Sequence, residues 1–238
     1  MDLFAVPPFS SALSAVYHAL TALADLLAPV AGAGAPALAV VAATLFVRAA
    51  LIPVGIGAAR AEQSRARLAP DIARLRERWK GQPERLQREI VELYRRHGVS
   101  PIAGCLPALA QAPVLGILYA VFVHADIAGE ANLLLSGRLF GAPLGTTVVG
   151  ALGDPTTLLV FAVLAIVVAV IAESSRRTAA VSVPPGMPSG PTRLAGALHF
   201  APLVAVSVLP LAAGVYLCVS LAWTLAQRAV LRRCYPIA

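Results

Sequence analysis

Charge is scarce in this chain. Asp, Glu, Lys and Arg make up 13% of its 238 residues against 58% hydrophobic residues, and the mean hydropathy is +0.78. A soluble domain of this length needs more polar surface to cover its core. The shortage excludes that class and points to a membrane. Cysteine is scarce too: Cys105, Cys218 and Cys234 are odd in number, far apart and form no C-x-x-C pair, so no disulfide framework is indicated. His18, His97, His124 and His199 have neither metal-ligand spacing nor clustered carboxylates beside them. No G-x-S-x-G, P-loop or H-E-x-x-H occurs. Hydrolysis and phosphoryl transfer therefore lack their equipment, and the expectation is a protein that works without covalent chemistry and without a cofactor. No basic stretch precedes the first apolar run after Met1, so a cleavable secretory signal is not expected.

Apolar runs are what the chain has in abundance. About 20 such residues cross about 30 Å of hydrocarbon as a helix, and the pattern predicts an all-α polytopic membrane protein with five spans. Residues 1–36 read as an external or interfacial segment. Its run 9–30 carries His18 and Asp25 and ends at Pro29, which fits an amphipathic helix better than a clean span. Spans are expected at 37–58, 102–124, 156–173, 194–212 and 213–231. The last two share one apolar stretch of about 57 Å at helical rise, turning near Pro210–Gly214. Residues 59–101 predict a helical hairpin bent at Pro70. Pro83 opens its second helix at the favoured first position and Gly98 caps it. Leu68, Ile72 and Leu75, with Leu86, Ile90, Leu93 and Tyr94, recur at helical spacing as one apolar seam. Residues 125–155 form an external loop, 174–193 a Pro-rich loop and 232–238 a tail.

The formal charge of +7 and pI near 10.0 would suggest nucleic acid in a soluble protein. The positive-inside rule accounts for them here, and no specific nucleic-acid partner is predicted. Between Arg60 and Gly98 there are eleven Lys/Arg and six Asp/Glu, a net of +5. With five spans, the hairpin, the Pro-rich loop and the C-terminus share one side and hold seventeen of the nineteen basic residues. That asymmetry predicts an external N-terminus and a cytoplasmic C-terminus.

Arg48 falls near the middle of the first span, where insertion scales put its cost at roughly 2.5–3.5 kcal/mol. No intramembrane acid is evident to pair with it. One reading is a water-filled cavity with a fixed positive charge; the bland one is snorkelling or bonding to backbone carbonyls. Thr44 lies one turn earlier on the same face. Gln111 is polar in the second span, and Ser207, Ser220 and Thr224 are polar in the last two. Singly, such residues are usually glue between helices; facing one interior with Arg48, they would line a hydrophilic groove. Trp79, Tyr94 and Trp223 read as packing residues or interfacial anchors.

With these residues in view, the chain resembles the YidC family of membrane protein insertases. The likeness begins at Thr44-Leu45-Phe46-Val47-Arg48 and runs to Pro53. It continues through Leu68-Ala69-Pro70 and from Leu93 to Pro101, and is most specific at Gly104-Cys105-Leu106-Pro107 followed by Gln111-Ala112-Pro113. Asp154-Pro155, Pro202 and Pro210 to Ser220 extend it, over about residues 35–233 in all. The resemblance implies five helices around a groove open to cytoplasm and lipid, with Arg48 as its positive charge and Gln111 as a polar lining residue. Thr44 and Tyr216 match positions linked to substrate contact; Ser220 and Thr224 complete the expected lining. Implied partners are new membrane proteins and the lipid bilayer, together with the ribosome, the signal-recognition pathway and the general secretory channel. Departures are Leu211-Ala212-Ala213-Gly214 where an earlier glycine is usual, Leu221 where an amide is common, and a short tail where some members carry a long basic one.

Two other classes compete with an insertase. A small-solute transporter or anion channel using Arg48 predicts paired broken spans with internal symmetry, which the sequence lacks. An assembly factor that packs spans without a groove predicts that Arg48 is dispensable. A lipid-scrambling side activity fits the same groove.

Overall fold

The computed structural model describes residues 7–98, 106–127, 129–180 and 200–234. The Gly104-Cys105 pair, the Pro-rich loop beyond residue 180 and the end of the tail lie outside the described residues, as do the side chains of 106–112.

Helix α1 (Pro7–Ala31) buries Leu13, Tyr17, Leu20 and Ala24, one face at three- and four-residue spacing, and leaves His18 and Asp25 exposed. It ends in a 3-10 turn, Gly32–Gly34, where Gly32 takes φ +51°, a conformation glycine adopts without steric cost. The chain then enters α2 (Ala35–Ala50), which packs against α1 through Ala35, Ala37, Ala39 and Val40.

Leu51 interrupts the helix, and α3 (Ile52–Arg78) starts directly after it. Pro53 explains the position: it has no N–H to give the carbonyl four residues back, and its ring crowds that carbonyl. From there α3 runs on through Pro70 and past residues 58–59, where the first span was expected to end. Gly81, at φ +101°, makes the turn, and Pro83 opens α4 (Pro83–Arg96), which Gly98 follows at φ +63°. The α3/α4 seam is thin. Leu68 is buried, whereas no residue of α4 is.

Helix α5 (Leu106–Val123) leads into a folded loop, 124–154, with two small hairpins. Strands β1 (Asp126–Ile127) and β2 (Glu130–Ala131) pair antiparallel, as do β3 (Arg138–Leu139) and β4 (Ala142–Pro143). The loop is stitched to the helices around it. Asn132 is its clasp: the side-chain amide donates to the Val121 and His124 carbonyls at the free end of α5, and its oxygen accepts from Leu134 N–H at 3.1 Å. The Tyr17 hydroxyl donates to Ala131 O (3.2 Å) and accepts from Leu133 N–H (3.3 Å), which ties α1 to the same loop. Gly137 lies against Pro36, where an added Cβ would stand 2.6 Å from the ring.

Helix α6 (Pro155–Ala180) is capped by Asp154, which accepts from Thr156 N–H at 3.0 Å and from the Thr157 hydroxyl. The Thr157 hydroxyl, before the neighbouring backbone amides, holds the Asp154 carboxyl below its ordinary value. At the other end Glu173 accepts from Arg176 (2.7 and 2.8 Å) and Arg177 (2.7 Å). Helix α7 (Ala201–Val208) turns at Leu209–Pro210 into α8 (Leu211–Cys234). The first free amides of α8, on Leu211 and Ala212, donate to loop carbonyls of Thr146 (2.9 Å) and Leu144 (3.0 Å).

Gly214, expected near that turn, sits inside α8 instead. A Cβ there would lie 2.8 Å from Leu164 Cδ2, so the glycine allows α6 and α8 to approach closely.

The outside of the helical bundle carries many large apolar side chains. On α6, Leu159, Val163, Ile166 and Val170 form an exposed stripe over three turns, opposite buried Phe161, Val168 and Ala172. Large apolar side chains on both faces of a helix are what hydrocarbon surroundings call for. Among the described residues, Phe9–Ala50, Pro155–Arg177 and Leu211–Leu231 are long and apolar enough to cross a membrane, and Pro113–Val123 is a shorter apolar helix. The protein is all-α apart from the loop hairpins, with a membrane character throughout its helical bundle.

Candidate functional site

Helices α2 and α8 pack side by side, and Arg48 on the first lies within electrostatic reach of Tyr216 on the second. On α2, Thr44 is buried and Arg48, one turn further, is half-buried. On α8, Tyr216 and Ser220 are buried one turn apart, and Thr224 follows after another turn, half-buried. The Tyr216 hydroxyl is hydrogen-bonded to the Ser220 side chain and lies within electrostatic reach of the Arg48 guanidinium. Five of the residues singled out in the sequence therefore stand on two adjoining helices.

Their hydrogen bonds separate them into two kinds. The Thr44 hydroxyl donates to Val40 O at 2.6 Å, and the Thr224 hydroxyl to Ser220 O at 2.8 Å. Both donors are satisfied by their own helix. Arg48 differs: among the described residues it makes no ion pair, every salt bridge lying in the hairpin or at the end of α6. A half-buried guanidinium with five donors and no acid beside it is an uncompensated positive charge among the helices.

The remaining predicted residues lie elsewhere. Gln111 belongs to α5, a helix that touches α1, α3 and α8, and its side chain is outside the described residues. Ser207, on α7, is exposed and donates to Val204 O at 2.7 Å. Trp79 sits at the hairpin turn with the Arg85 guanidinium 3.9 Å and the Arg78 guanidinium 5.4 Å from its ring. An open cavity of about 460 Å³ at the loop end, between Tyr119, Phe122, Leu135, Thr146, Val208 and Pro210, contains none of the polar stripe. Among the described residues, no three His, Cys, Asp or Glu side chains gather into a metal site.

Two features of the site escaped sequence reasoning. Gln227 continues the α8 stripe, and the spacing 216, 220, 224, 227 was the signal available for it. Gly55, in the first turn of α3, lies against it; an added Cβ would stand 2.0 Å from Gln227 Nε2. Nothing in the local sequence marks that approach.

The chain is similar to known proteins. The membrane protein insertase YidC of Clostridium perfringens is 38% identical over 116 residues, 49% of this chain and 48% of that protein. The YidC of Tropheryma whipplei is 37% identical over 108 residues, 43% of this chain and 35% of the relative. For the YidC of Helicobacter pylori the figures are 37% over 87 residues, 37% and 16%. The matched region thus spans about half of the first relative and less of the others. Residues 28–237 match the family described as 60Kd inner membrane protein. With nearly the whole chain covered by that family, and apolar helices to match, this multi-pass membrane protein belongs to the 60Kd inner membrane protein family, that of the YidC insertases.

Proposed function

We propose that the chain is a membrane protein insertase of the plasma membrane, and that the α2/α8 contact is the wall along which client segments enter. One observation carries the reading: the guanidinium of Arg48, half-buried and without an acid, beside the Tyr216–Ser220 pair. A client must move a polar flank through hydrocarbon, where each unsatisfied backbone group costs several kcal/mol. A hydrated groove reaching partway shortens that path. Arg48 attracts acidic residues in the flank, and the apolar segment leaves sideways into lipid. Burial of its apolar surface drives the transfer, so the scheme requires no nucleotide.

In this reading five spans surround the groove, α5 and α7 belonging to the second and fourth. The N-terminus and the 124–154 loop face outward, and the hairpin and C-terminus face the cytoplasm, in line with the basic residues of the hairpin. Clients are new membrane proteins. Their delivery by the ribosome, the signal-recognition pathway or the general secretory channel is a matter for the hairpin, where residues 60–98 hold eleven Lys/Arg.

The test is insertion of a short single-span client into liposomes holding the protein, scored by protease protection. Wild type, Arg48→Ala and Arg48→Glu are compared on neutral and acidic flanks. Charge reversal is expected to slow acidic flanks by about tenfold, the equivalent of ~1.4 kcal/mol, with neutral flanks affected less. Equal insertion by all three removes Arg48 from the mechanism. No insertion by folded wild type sinks the insertase reading; saturable solute flux from the same vesicles would then favour a transporter.

A further inference from the structure

The amide of Gln227 is held in a state that packing alone does not explain. Trp223 Nε1–H donates to Gln227 Oε1 at 3.2 Å, which fixes the orientation of the amide, because the opposite one would set two donors against each other. The other end, Nε2, is buried and among the described residues has no hydrogen-bond partner. It abuts Gly55 of α3, where a Cβ would stand 2.0 Å from it, so the bare backbone of that turn is what admits it. Gly55 has no positive φ, and its lack of a side chain therefore serves this close approach. The Leu51 interruption lies one helical turn before it.

A buried donor without an acceptor destabilises the packing around it, and an apolar side chain of the same shape would suit that packing better. The amide also terminates the polar stripe of Tyr216, Ser220 and Thr224, at the end where α8 meets α3. We infer that Gln227 is a client-contacting residue at the hairpin end of the groove. Helix α3 lies over Nε2 while the groove is empty. When α3 swings away from α8 about the Leu51–Pro53 bend, Nε2 donates to a backbone carbonyl of the entering polar flank. The ligand is an unpaired peptide carbonyl, a group every client carries whatever its sequence, and one that is costly to leave bare in a low dielectric. This rests on the insertase reading and adds to it a specific residue and a specific bond.

Gln227→Leu, made together with Trp223→Phe so that no indole donor is left bare, keeps the volume and removes the amide. In the full chain in liposomes, insertion of a polar-flanked client is expected to fall several-fold while the thermal unfolding temperature stays level or rises. A purely structural amide predicts the reverse. Contact is read separately by disulfide trapping in a background with Cys105→Ala, Cys218→Ala and Cys234→Ala. Gln227→Cys and Ser220→Cys are challenged with a client arrested during insertion that bears one cysteine in its flank, and Val230→Cys, exposed on α8, serves as the lipid-facing control. Trapping at 227 and 220 but not at 230 supports the inference. Trapping at 220 alone, normal insertion by the double variant, or a lowered unfolding temperature overturns it and leaves the insertase reading standing. Trapping at neither 220 nor 227, with no insertion by wild type, overturns both.

Discussion

At the loop end of the bundle, Asn132 satisfies two carbonyls of α5 and one amide of the loop, Tyr17 bonds the loop twice, and the first free amides of α8 find Thr146 and Leu144. At the hairpin end, no residue of α4 is fully buried, and among the described residues Arg48 lacks an acid and Gln227 Nε2 lacks an acceptor. The same two helices, α2 and α8, run between these environments. Satisfied groups hold one end in a single arrangement. Unsatisfied ones at the other end leave interactions that a second molecule can complete, and motion of low cost is expected where native contacts are few.

The contrast can be broken most severely at Asn132. Asn132→Leu keeps the volume but strips the Val121 and His124 carbonyls of their donor, at a cost of about 3 kcal/mol. Thermal unfolding in detergent should register it as a drop for the whole bundle. A change below about 1 kcal/mol would mean that the loop end is not the tight one. A smaller and purely local effect is expected from Trp79→Ala. Losing the Arg85 and Arg78 contacts costs the hairpin about 1 kcal/mol at its exposed turn. Amide exchange should quicken in α4 while the bundle's unfolding temperature stays unchanged; a shift of the whole bundle would show the two ends to be one cooperative unit. The smallest effect is a pH dependence. Asp154 has a folded value below its ordinary 3.8. Its contribution is therefore complete above the ordinary value and is lost as pH falls from there through the lowered one. Wild type should lose unfolding temperature across that window, and Asp154→Asn, which can still cap α6, should show a flatter profile.

Much of the helical framework was legible because single residues dictate it. Pro83 and Gly98 bound α4, each through its own backbone restriction. Arg48 and Thr44 could be placed on one face by spacing alone. Other features depend on what folds against a residue from afar. Gly214 read as a turn, yet it lies inside α8, where Leu164 stands in the space a side chain would need. The sequence places the end of the first span at 58, whereas α3 continues through Pro70 to Arg78, which the change from apolar to charged residues near Arg60 does not reveal. Asn132 looked like an ordinary loop residue, since its acceptors lie eight and eleven positions away. Gln227 was hidden for a related reason: its significance lies in Gly55, a residue on another helix.

The hydroxyls of Thr44 and Thr224 already give their protons to their own helices, and under the proposed function this bears on how long a client would stay. Such a hydroxyl has only lone pairs left to offer. A passing amide gains a weak acceptor there, and none of the wall's own bonds must break to receive it or to let it go. A surface of this kind discriminates little between sequences and holds none of them for long, so residence is short and dissociation fast. For a protein that would have to hand every client on to the lipid, indifference of the wall is what permits turnover.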